Sequence, residues 1–175
     1  MRKMKCFLCA CAAVLLAGTA LHAQAPAFPE APELEFVVEL HVTCDPGFTV
    51  GDTQHGTRFV IPITGGTFEV PKMKGVVLPG GADYQLQDQA HGRTELEAIY
   101  CIRTDDGVSI HVRNWGLIVM GQDDAGRPQF YFRTAPKFEA PRDSAYGWLN
   151  DAIFVCATGP TNPGDTVCLR IWKVL

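Results

Sequence analysis

The residues with the clearest potential for chemistry follow a pair of glycines. Asp83 comes just after Gly80 and Gly81, and two glycines ahead of a carboxylate indicate a backbone that needs positive φ or a close approach. Such a backbone aims the carboxylate at a definite place. Tyr84 is adjacent, and a polar group beside an apolar wall is typical of small-ligand pockets. The pattern predicts Asp83 as a general base and Tyr84 as a ligand contact; the structural alternative is an Asp that caps a turn.

A second carboxylate, Glu69, ends the run Thr67-Phe68-Glu69. Successive side chains of a strand point to opposite faces, so Glu69 and Phe68 lie on opposite sides. If Phe68 belongs to the core, Glu69 is in water. If the fold is hollow, either side chain could face the lumen, and Glu69 is then the second candidate base.

Arg133 and Glu139 flank Pro136 and Phe138. One interpretation is an ion pair that closes a loop, which would add little stability at an exposed position. The other makes Arg133 an anchor for a carboxylate or enolate, because a guanidinium offers a planar fork of donors. Both residues are therefore candidate site residues.

Trp148 and Asn150 lie two positions apart and share a face if the chain is extended there. They would combine a stacking surface with an amide that both donates and accepts hydrogen bonds. The alternative for Trp148 is an ordinary core residue.

Metal and nucleotide chemistry have little support in the sequence. No Gly-x-Ser-x-Gly elbow, His-Glu-x-x-His helix or phosphate-cradling loop occurs. The histidines have no spacing that makes a ligand set from neighbouring turns, although strands distant in sequence can converge. They are His41, His55, His91 and His111. We therefore predict no metal and no cofactor.

The elements that must position these residues are strands. Apolar residues alternate with a period of two between frequent turn signals, and long helical periodicity is missing. The expected strands are 36–43, 57–63, 67–70, 74–78, 96–104, 108–112, 117–120, 129–133, 153–157 and 167–174, with a hairpin turn at 105–107 and one helical turn within 143–150. This all-β pattern favours a closed antiparallel barrel or a sandwich, since closure removes exposed edges.

The strand 96–104 has one apolar and one mixed face. Leu96, Ala98, Tyr100 and Ile102 share the first, and Glu97, Ile99, Cys101 and Arg103 share the second. The mixed face is either solvated or turned inward, in which case Glu97 or Arg103 lines a cavity.

The start of the chain predicts export. Arg2, Lys3 and Lys5 precede an apolar run at 6–17, which is shorter than the ~20 residues that span a bilayer and leads to small residues before Gln24. We expect a signal peptide at 1–23, a Pro/Ala-rich linker at 24–33 and one domain at 34–175. The mature protein would be periplasmic or secreted, without stable membrane insertion.

Cleavage after residue 23 would change both charge and cysteine content. It removes three of 15 basic residues and none of 19 acidic ones, so the mature net charge is 12 − 19 = −7, and nucleic acid is an unlikely partner. The disulfide candidates that remain are Cys44, Cys101, Cys156 and Cys168. A hairpin around Pro163-Gly164 would place the sulfurs of Cys156 and Cys168 opposite each other. A zinc site is the functional alternative, which neither the spacing nor a companion His supports, and free buried thiols are the other alternative.

Five motifs, in order, resemble one family. They are Gly65-Gly66-Thr67-Phe68-Glu69, Leu78-Pro79-Gly80-Gly81-Ala82-Asp83-Tyr84, Arg103-Thr104-Asp105-Asp106-Gly107, the run at 131–139 and Tyr146-Gly147-Trp148-Leu149-Asn150. They are similar to the family called domain of unknown function 3237, or uncharacterised protein family UPF 0311. The resemblance implies a single-domain antiparallel meander β-barrel of the calycin or streptavidin type, and no biochemical function. Tyr84 stands where the family commonly has Trp, and Ile99 where it commonly has Arg, which would remove a charge from the expected pocket.

Two functions remain open at this point. One is an exported module that binds a small organic ligand in the barrel. The other is a cofactor-free lyase, isomerase or cyclase in which Asp83 or Glu69 is the base and Arg133 with Asn150 stabilises an oxyanion. A buried acid with a raised pKa beside an apolar wall would favour the enzyme, whereas a cavity of aromatics and neutral amides would exclude it.

Overall fold

The computed structural model describes residues 30–159 and 166–175. The expected signal peptide, most of the linker and the Pro163-Gly164 turn lie outside these residues. Within them the strands are β1 Leu34–Cys44, β2 Phe48–Thr53, β3 Gly56–Pro71, β4 Gly75–Val77, β5 Gly81–Asp88, β6 Arg93–Thr104, β7 Ser109–Gln122, β8 Pro128–Glu139, β9 Phe154–Thr158 and β10 Thr166–Val174. Two 3-10 segments, Gln89–His91 and Gly147–Asp151, complete the described elements. No helix in this part of the chain is long and apolar enough to cross a bilayer.

The sheet closes on itself because β1 pairs with β10 on one side and with β3 on the other. The long β3 pairs with β2 and β5 along its first half and with β1 and β4 along its second half. The ten described strands thereby occupy eight positions around a closed antiparallel barrel. The prediction of an antiparallel β-barrel is confirmed, and a sandwich is excluded.

One half of the barrel interior is filled by large apolar side chains. Phe68, Phe138 and Phe154 are at most 2% exposed there, and the last two meet edge to face with ring centroids 5.0 Å apart. The 3-10 segment Gly147–Asp151 packs onto this core through Leu149, which is 1% exposed. Burial of this apolar surface is the main source of stability.

Several predicted strands are longer than expected. The runs predicted on either side of Gly65 and Gly66 form the single strand β3, because the two glycines allow a close approach to β1 and not a turn. A Cβ on Gly66 would lie 2.1 Å from the backbone oxygen of His41. The runs at 108–112 and 117–120 likewise join in β7, whereas β2 and β5 were not predicted. The predicted hairpin turn at 105–107 is present, with Gly107 at φ 89°.

The mixed face of β6 is in contact with solvent, which was one of the two alternatives predicted for this strand. Leu96, Tyr100 and Ile102 are buried in the interior, at 6%, 3% and 0% exposure. The mixed face points outward, where Glu97 forms an ion pair with Arg113. The hypothesis that Glu97 or Arg103 lines a cavity is therefore wrong, because burying the apolar face is worth more than burying two charges.

The cysteine register differs from the prediction. Cys156 on β9 lies opposite Ile171, three residues from Cys168, and points inward with 1% exposure. Cys168 lies opposite His41 on the outer face. An odd offset puts the two sulfurs on opposite faces of the sheet, and Cys101, Cys156 and Cys168 form no disulfide.

Candidate functional site

The half of the barrel that the core does not fill contains a cavity of about 610 Å³. Its walls are mostly apolar, and its polar lining comes from Asp45, Asp83, Gln85, Tyr100, Asn114, Thr134 and Thr166. The apolar lining includes Val42, Ile61, Ile63, Leu96, Ala98, Ile118, Phe132 and Leu169. Among the described lining residues the only charged groups are the two aspartates. A cavity of this size and composition suits a small organic molecule.

The cross-strand register brings Asp83 level with Asn114. Asp83 pairs with Ile61 on one side and with Ala98 on the other, and Ala98 pairs with Asn114. Side chains paired in this way share a face of the sheet, and two strand spacings separate the Cα atoms of Asp83 and Asn114 by about 10 Å. Because Ala98 carries only a methyl group, the space between the carboxyl and the amide stays open.

Asp83 is held where the pairing of β5 with β6 is interrupted. Between the pairs Asp83–Ala98 and Leu86–Glu95, no residues of β5 are paired with residues of β6. In this gap Asp83 Oδ1 accepts a hydrogen bond from the backbone N–H of Glu97 at 3.0 Å. The carboxylate replaces a backbone acceptor, so it has a structural role in addition to facing the cavity.

Two glutamines orient the other oxygen of Asp83. Gln85 Nε2 donates to Asp83 Oδ2 at 2.9 Å, and Gln87 Nε2 donates to Gln85 Oε1 at 3.1 Å. This chain of amides presents donors toward the carboxylate and fixes its rotamer. Gln85 is itself 8% exposed, so the arrangement lies within the barrel wall.

Burial raises the pKa of Asp83, and the hydrogen bonds from Gln85 and from the Glu97 backbone only partly oppose the rise. No cationic side chain is among the described lining residues to favour the charged form. The carboxyl therefore exchanges its proton closer to neutral pH than an ordinary aspartic acid. That is the property expected of a general acid or base.

Tyr100 and Asn114 bring buried polar atoms to the cavity without partners in the described chain. Each residue is 3% exposed, and neither Tyr100 Oη nor Asn114 Oδ1 has a hydrogen-bond partner. Burial raises the pKa of Tyr100 far above its usual value, so its hydroxyl stays protonated. An unsatisfied buried polar atom costs about 1–3 kcal/mol, and a ligand that pairs with these atoms would recover that cost.

Most of the other residues predicted for the site lie outside the cavity. Glu69 is exposed on β3 opposite Glu39, while Phe68 is core, so Glu69 is in water. Arg133 is exposed on β8, where its guanidinium donates to the Phe132 backbone oxygen at 2.7 Å and lies 5.7 Å from the Tyr131 ring. The structure therefore does not place Glu69 or Arg133 beside Asp83.

Residues predicted as ligand contacts on β5, β6 and β8 also face outward. Tyr84 is 43% exposed, and Arg103 donates from Nε to Ser109 Oγ at 3.4 Å. Glu139 lies near His111. It is six positions from Arg133 on the same strand, a distance of about 20 Å, so the two do not form the ion pair considered above. Ile99 is on the outward face of β6, as Tyr84 is of β5, so neither departure from the family pattern alters the cavity.

Trp148 and Asn150 belong to the 3-10 segment Gly147–Asp151 and do not share an extended face. Trp148 packs against Phe154 with ring centroids 6.0 Å apart. The Asn150 side chain accepts from the Ala140 N–H at 2.8 Å and donates to the Ala140 oxygen at 3.0 Å. These contacts make both residues structural, since they attach the 3-10 segment to the end of β8.

Sequence analysis missed Tyr100, Asn114 and Gln85 as cavity residues. Tyr100 and Asn114 have a readable signal, because each is on the inward face of a strand whose other inward residues are apolar. Gln85 has no such signal, because its inward neighbour Asp83 is also polar. Asn114 lies between Val112 and Gly116 in the alternation of β7. A polar residue at an inward position of an otherwise apolar strand face is the pattern that would have identified Tyr100 and Asn114.

A separate group of metal-ligating side chains lies on the outer face. Glu39, His41 and Cys168 bring one ligand atom each within 4.8 Å of one another, across the pairing of β1 with β10. Glu39 and His41 are neighbours on β1, and the pairing that closes the barrel brings Cys168 to them from β10.

A model of the family described as "Protein of unknown function (DUF3237)" matches residues 32–174. The chain belongs to this family. A UPF0311 protein of Clostridium acetobutylicum is 33% identical over 150 residues, which cover 80% of this chain and 92% of that protein. A β-barrel-like protein of Acinetobacter baumannii has a similar crystal structure, with a TM-score of 0.75 and 28% identity over 86% of this chain and 100% of that one.

A more distant relative has a named activity. It is a hydroalkoxylation enzyme of Penicillium herquei, 27% identical over 147 residues, which cover 83% of this chain and 86% of that protein.

Proposed function

We propose that this protein holds a small, mainly apolar organic molecule in the barrel cavity and catalyses a cofactor-free proton transfer on it, with Asp83 as general acid and base. The observation that carries the proposal is a partly buried carboxyl with a raised pKa in an apolar cavity whose described lining residues include no cation. A site that only binds would gain nothing from a desolvated acid, which costs stability whenever it is ionised.

The unpartnered polar atoms support a particular ligand chemistry. Asn114 Oδ1 accepts a hydrogen bond, so it favours a ligand O–H or N–H. The protonated Tyr100 hydroxyl is able to donate to a ligand oxygen at the floor of the cavity, where the interior becomes solid core. The described lining contains two aspartates and no cation, which disfavours an anionic ligand. We therefore expect a neutral phenol, enol or carbonyl compound.

The named activity of the fungal relative belongs to the same reaction class. In a hydroalkoxylation an alcohol O–H adds across a C=C bond: the oxygen gives up its proton, a C–O bond forms, and the other alkene carbon gains a proton. Proton removal and proton delivery balance, so no oxidant or reductant is consumed. A single carboxyl such as Asp83 is able to accept the first proton and return it to carbon.

The test is proton delivery to carbon. Neutral hydroxyaryl alkenes and enolisable ketones are incubated with the protein in D2O, and mass spectrometry records deuterium bound to carbon. We expect incorporation with the wild-type protein and a loss of about 10²- to 10⁴-fold with Asp83→Asn, the usual range for removal of a general acid or base. Asp88→Asn is the matched control, because Asp88 is on the same strand but exposed.

Binding is measured in parallel by thermal shift with the same compounds. If they bind equally to the wild-type protein and to Asp83→Asn and no deuterium is incorporated by either, the barrel is a binding module and the catalytic part of the proposal is wrong. If carboxylate analogues bind more tightly than their neutral counterparts, the expected ligand class is wrong as well.

The cellular setting is part of the proposal. The basic head and short apolar run at 1–23 support export, and the mature net charge of −7 (12 − 19) gives no support for nucleic-acid binding. Fractionation of cells that express the full chain, with N-terminal sequencing of the product, tests this. A cytoplasmic protein that keeps residues 1–23 would contradict export.

A further inference from the structure

We propose that Glu39, His41 and Cys168 form a binding site for a zinc-class divalent cation on the outer face of the barrel. The site is independent of the cavity and of the proposed catalysis. It depends on barrel closure, because Glu39 and His41 are on β1 and Cys168 is on the distant strand β10.

The register explains why the three side chains meet. His41 is paired directly with Cys168, and Glu39 is two residues from His41 on the same face of β1. His41 Nε2 lies 3.0 Å from Glu39 Oε1, and the three ligand atoms are all within 4.8 Å of one another. Ligands at about 2.0–2.3 Å from one tetrahedral zinc ion lie roughly 3.3–3.8 Å apart. Small rotations of the side chains therefore suffice to bring them around a common ion.

The ligand types select the ion. One thiolate, one imidazole and one carboxylate form a borderline-soft set, which favours Zn²⁺ over Ca²⁺ or Mg²⁺, because the latter two take only oxygen ligands. Three protein ligands leave a fourth position for water. All three residues are partly exposed, so an ion has access from solvent.

Neighbouring charges support the site. Glu69 on β3 is paired with Glu39, and two carboxylates directly opposite each other are destabilising unless positive charge lies near them. Arg170 Nε is 3.2 Å from Glu39 Oε2, so it supplies one such charge and also orients the carboxylate while Oε1 stays directed toward His41. With Cys168 as thiolate, three negative charges lie together, on Glu39, Glu69 and Cys168. Arg170 supplies one positive charge, and a divalent cation balances the remaining negative charge.

The opposite side of the barrel provides a matched control. Cys101, His111 and Glu139 also lie in one cross-strand row on the outer face, with the same three residue types. There His111 Nδ1 and Glu139 Oε2 are 3.9 Å apart, and the described residues contain no second group whose ligand atoms meet within 4.8 Å. Composition alone would make the two rows equivalent, whereas geometry separates them.

The experiment is a Co²⁺ and Zn²⁺ titration of the reduced, metal-free full-length protein without a histidine tag. Every protein in the series carries Cys6→Ser, Cys9→Ser and Cys11→Ser, because thiols at the N-terminus would also bind these ions. We expect one equivalent of Co²⁺ to produce thiolate-to-metal charge-transfer absorption that Zn²⁺ abolishes. Cys168→Ser should remove the absorption and weaken Zn²⁺ binding at least tenfold, His41→Gln should weaken binding similarly, and Cys101→Ser should change neither.

The outcomes that overturn the proposal are equally distinct. Absorption that persists in Cys168→Ser and disappears in Cys101→Ser would move the site to the other row. Equal Zn²⁺ affinity in wild-type protein and Cys168→Ser, with no charge-transfer absorption in either, would show that only surface carboxylates bind the ion. Circular dichroism of each variant confirms folding, and His41→Gln leaves the thiol intact if Cys168→Ser fails to fold.

Discussion

The pH dependence of stability gives a direct test of the Asp83 environment. Burial raises the pKa of Asp83 in the folded protein above its unfolded value of about 3.9. A raised pKa means that the folded state binds the proton more tightly than the unfolded state does. The stability contributed by this group is therefore fully present below the unfolded pKa and is lost as pH rises through the folded pKa.

Asp83→Asn is a suitable reference for this measurement. The amide is neutral at every pH. Its NH2 group is a donor and cannot accept the hydrogen bond from Gln85 Nε2, whereas the protonated acid can, so the variant carries a cost at that contact that does not depend on pH. The backbone N–H of Glu97 keeps its acceptor in either case. The pH-dependent part of the stability difference between wild type and variant then isolates the charge on residue 83.

The expected magnitude follows from linkage. Each tenfold decrease of the acid dissociation constant of Asp83 on folding lowers the wild-type free energy of unfolding by about 1.4 kcal/mol at pH values above the folded pKa. For a domain of this length 1 kcal/mol corresponds to roughly 2–4 °C in Tm. The variant should equal the wild type, apart from a constant offset, below about pH 3.5, and become relatively more stable as pH rises, by about 3–6 °C for each tenfold change.

Urea unfolding and calorimetry between pH 3 and pH 8 provide the assay. If the wild-type protein instead gains stability relative to Asp83→Asn as pH rises, the hydrogen bonds to the carboxylate outweigh its desolvation. The pKa would then be lowered on folding, and Asp83 would be a structural acceptor in the β5–β6 gap. That result would refute the argument for a general base.

Three further results are expected. Asp106→Asn should show a pH dependence of the opposite sign. Hydrogen bonds from the hydroxyls of Thr104 and Tyr146 lower the pKa of Asp106 despite some desolvation. In the same unfolding series the wild type should therefore lose stability relative to this variant as pH falls. Ala98→Leu should fill the space beside Asp83 and abolish ligand thermal shifts without lowering the Tm of the free protein, and undiminished shifts would place the ligand elsewhere. Arg133→Ala should leave deuterium incorporation unchanged and the free energy of unfolding within about 0.5 kcal/mol of wild type, since the residue is exposed. A hundredfold loss of incorporation would return Arg133 to the site.

How far the site could be predicted depended on which strands were recognisable. β6 was predicted because its apolar residues alternate without interruption, and the structure has the same two faces. β5 was missed because its inward residues Asp83 and Gln85 are polar, which conceals the alternation that identifies a strand. β7 was divided at Asn114 for the same reason. Polar residues that line a cavity interrupt the very signal used to find the strand.

The sequence by itself determined that the domain is all-β, because alternation of period two is a local property of each strand. It also determined that Asp83 is a candidate for chemistry, because the two preceding glycines and the adjacent aromatic are neighbours in the chain. Which face of each strand points inward was decided only by the closed barrel, where apolar burial is optimised over all strands together. Register between distant strands likewise placed Asn114 level with Asp83, Arg133 in solvent, and Cys168 beside His41, since a one-residue shift in pairing reverses every side chain.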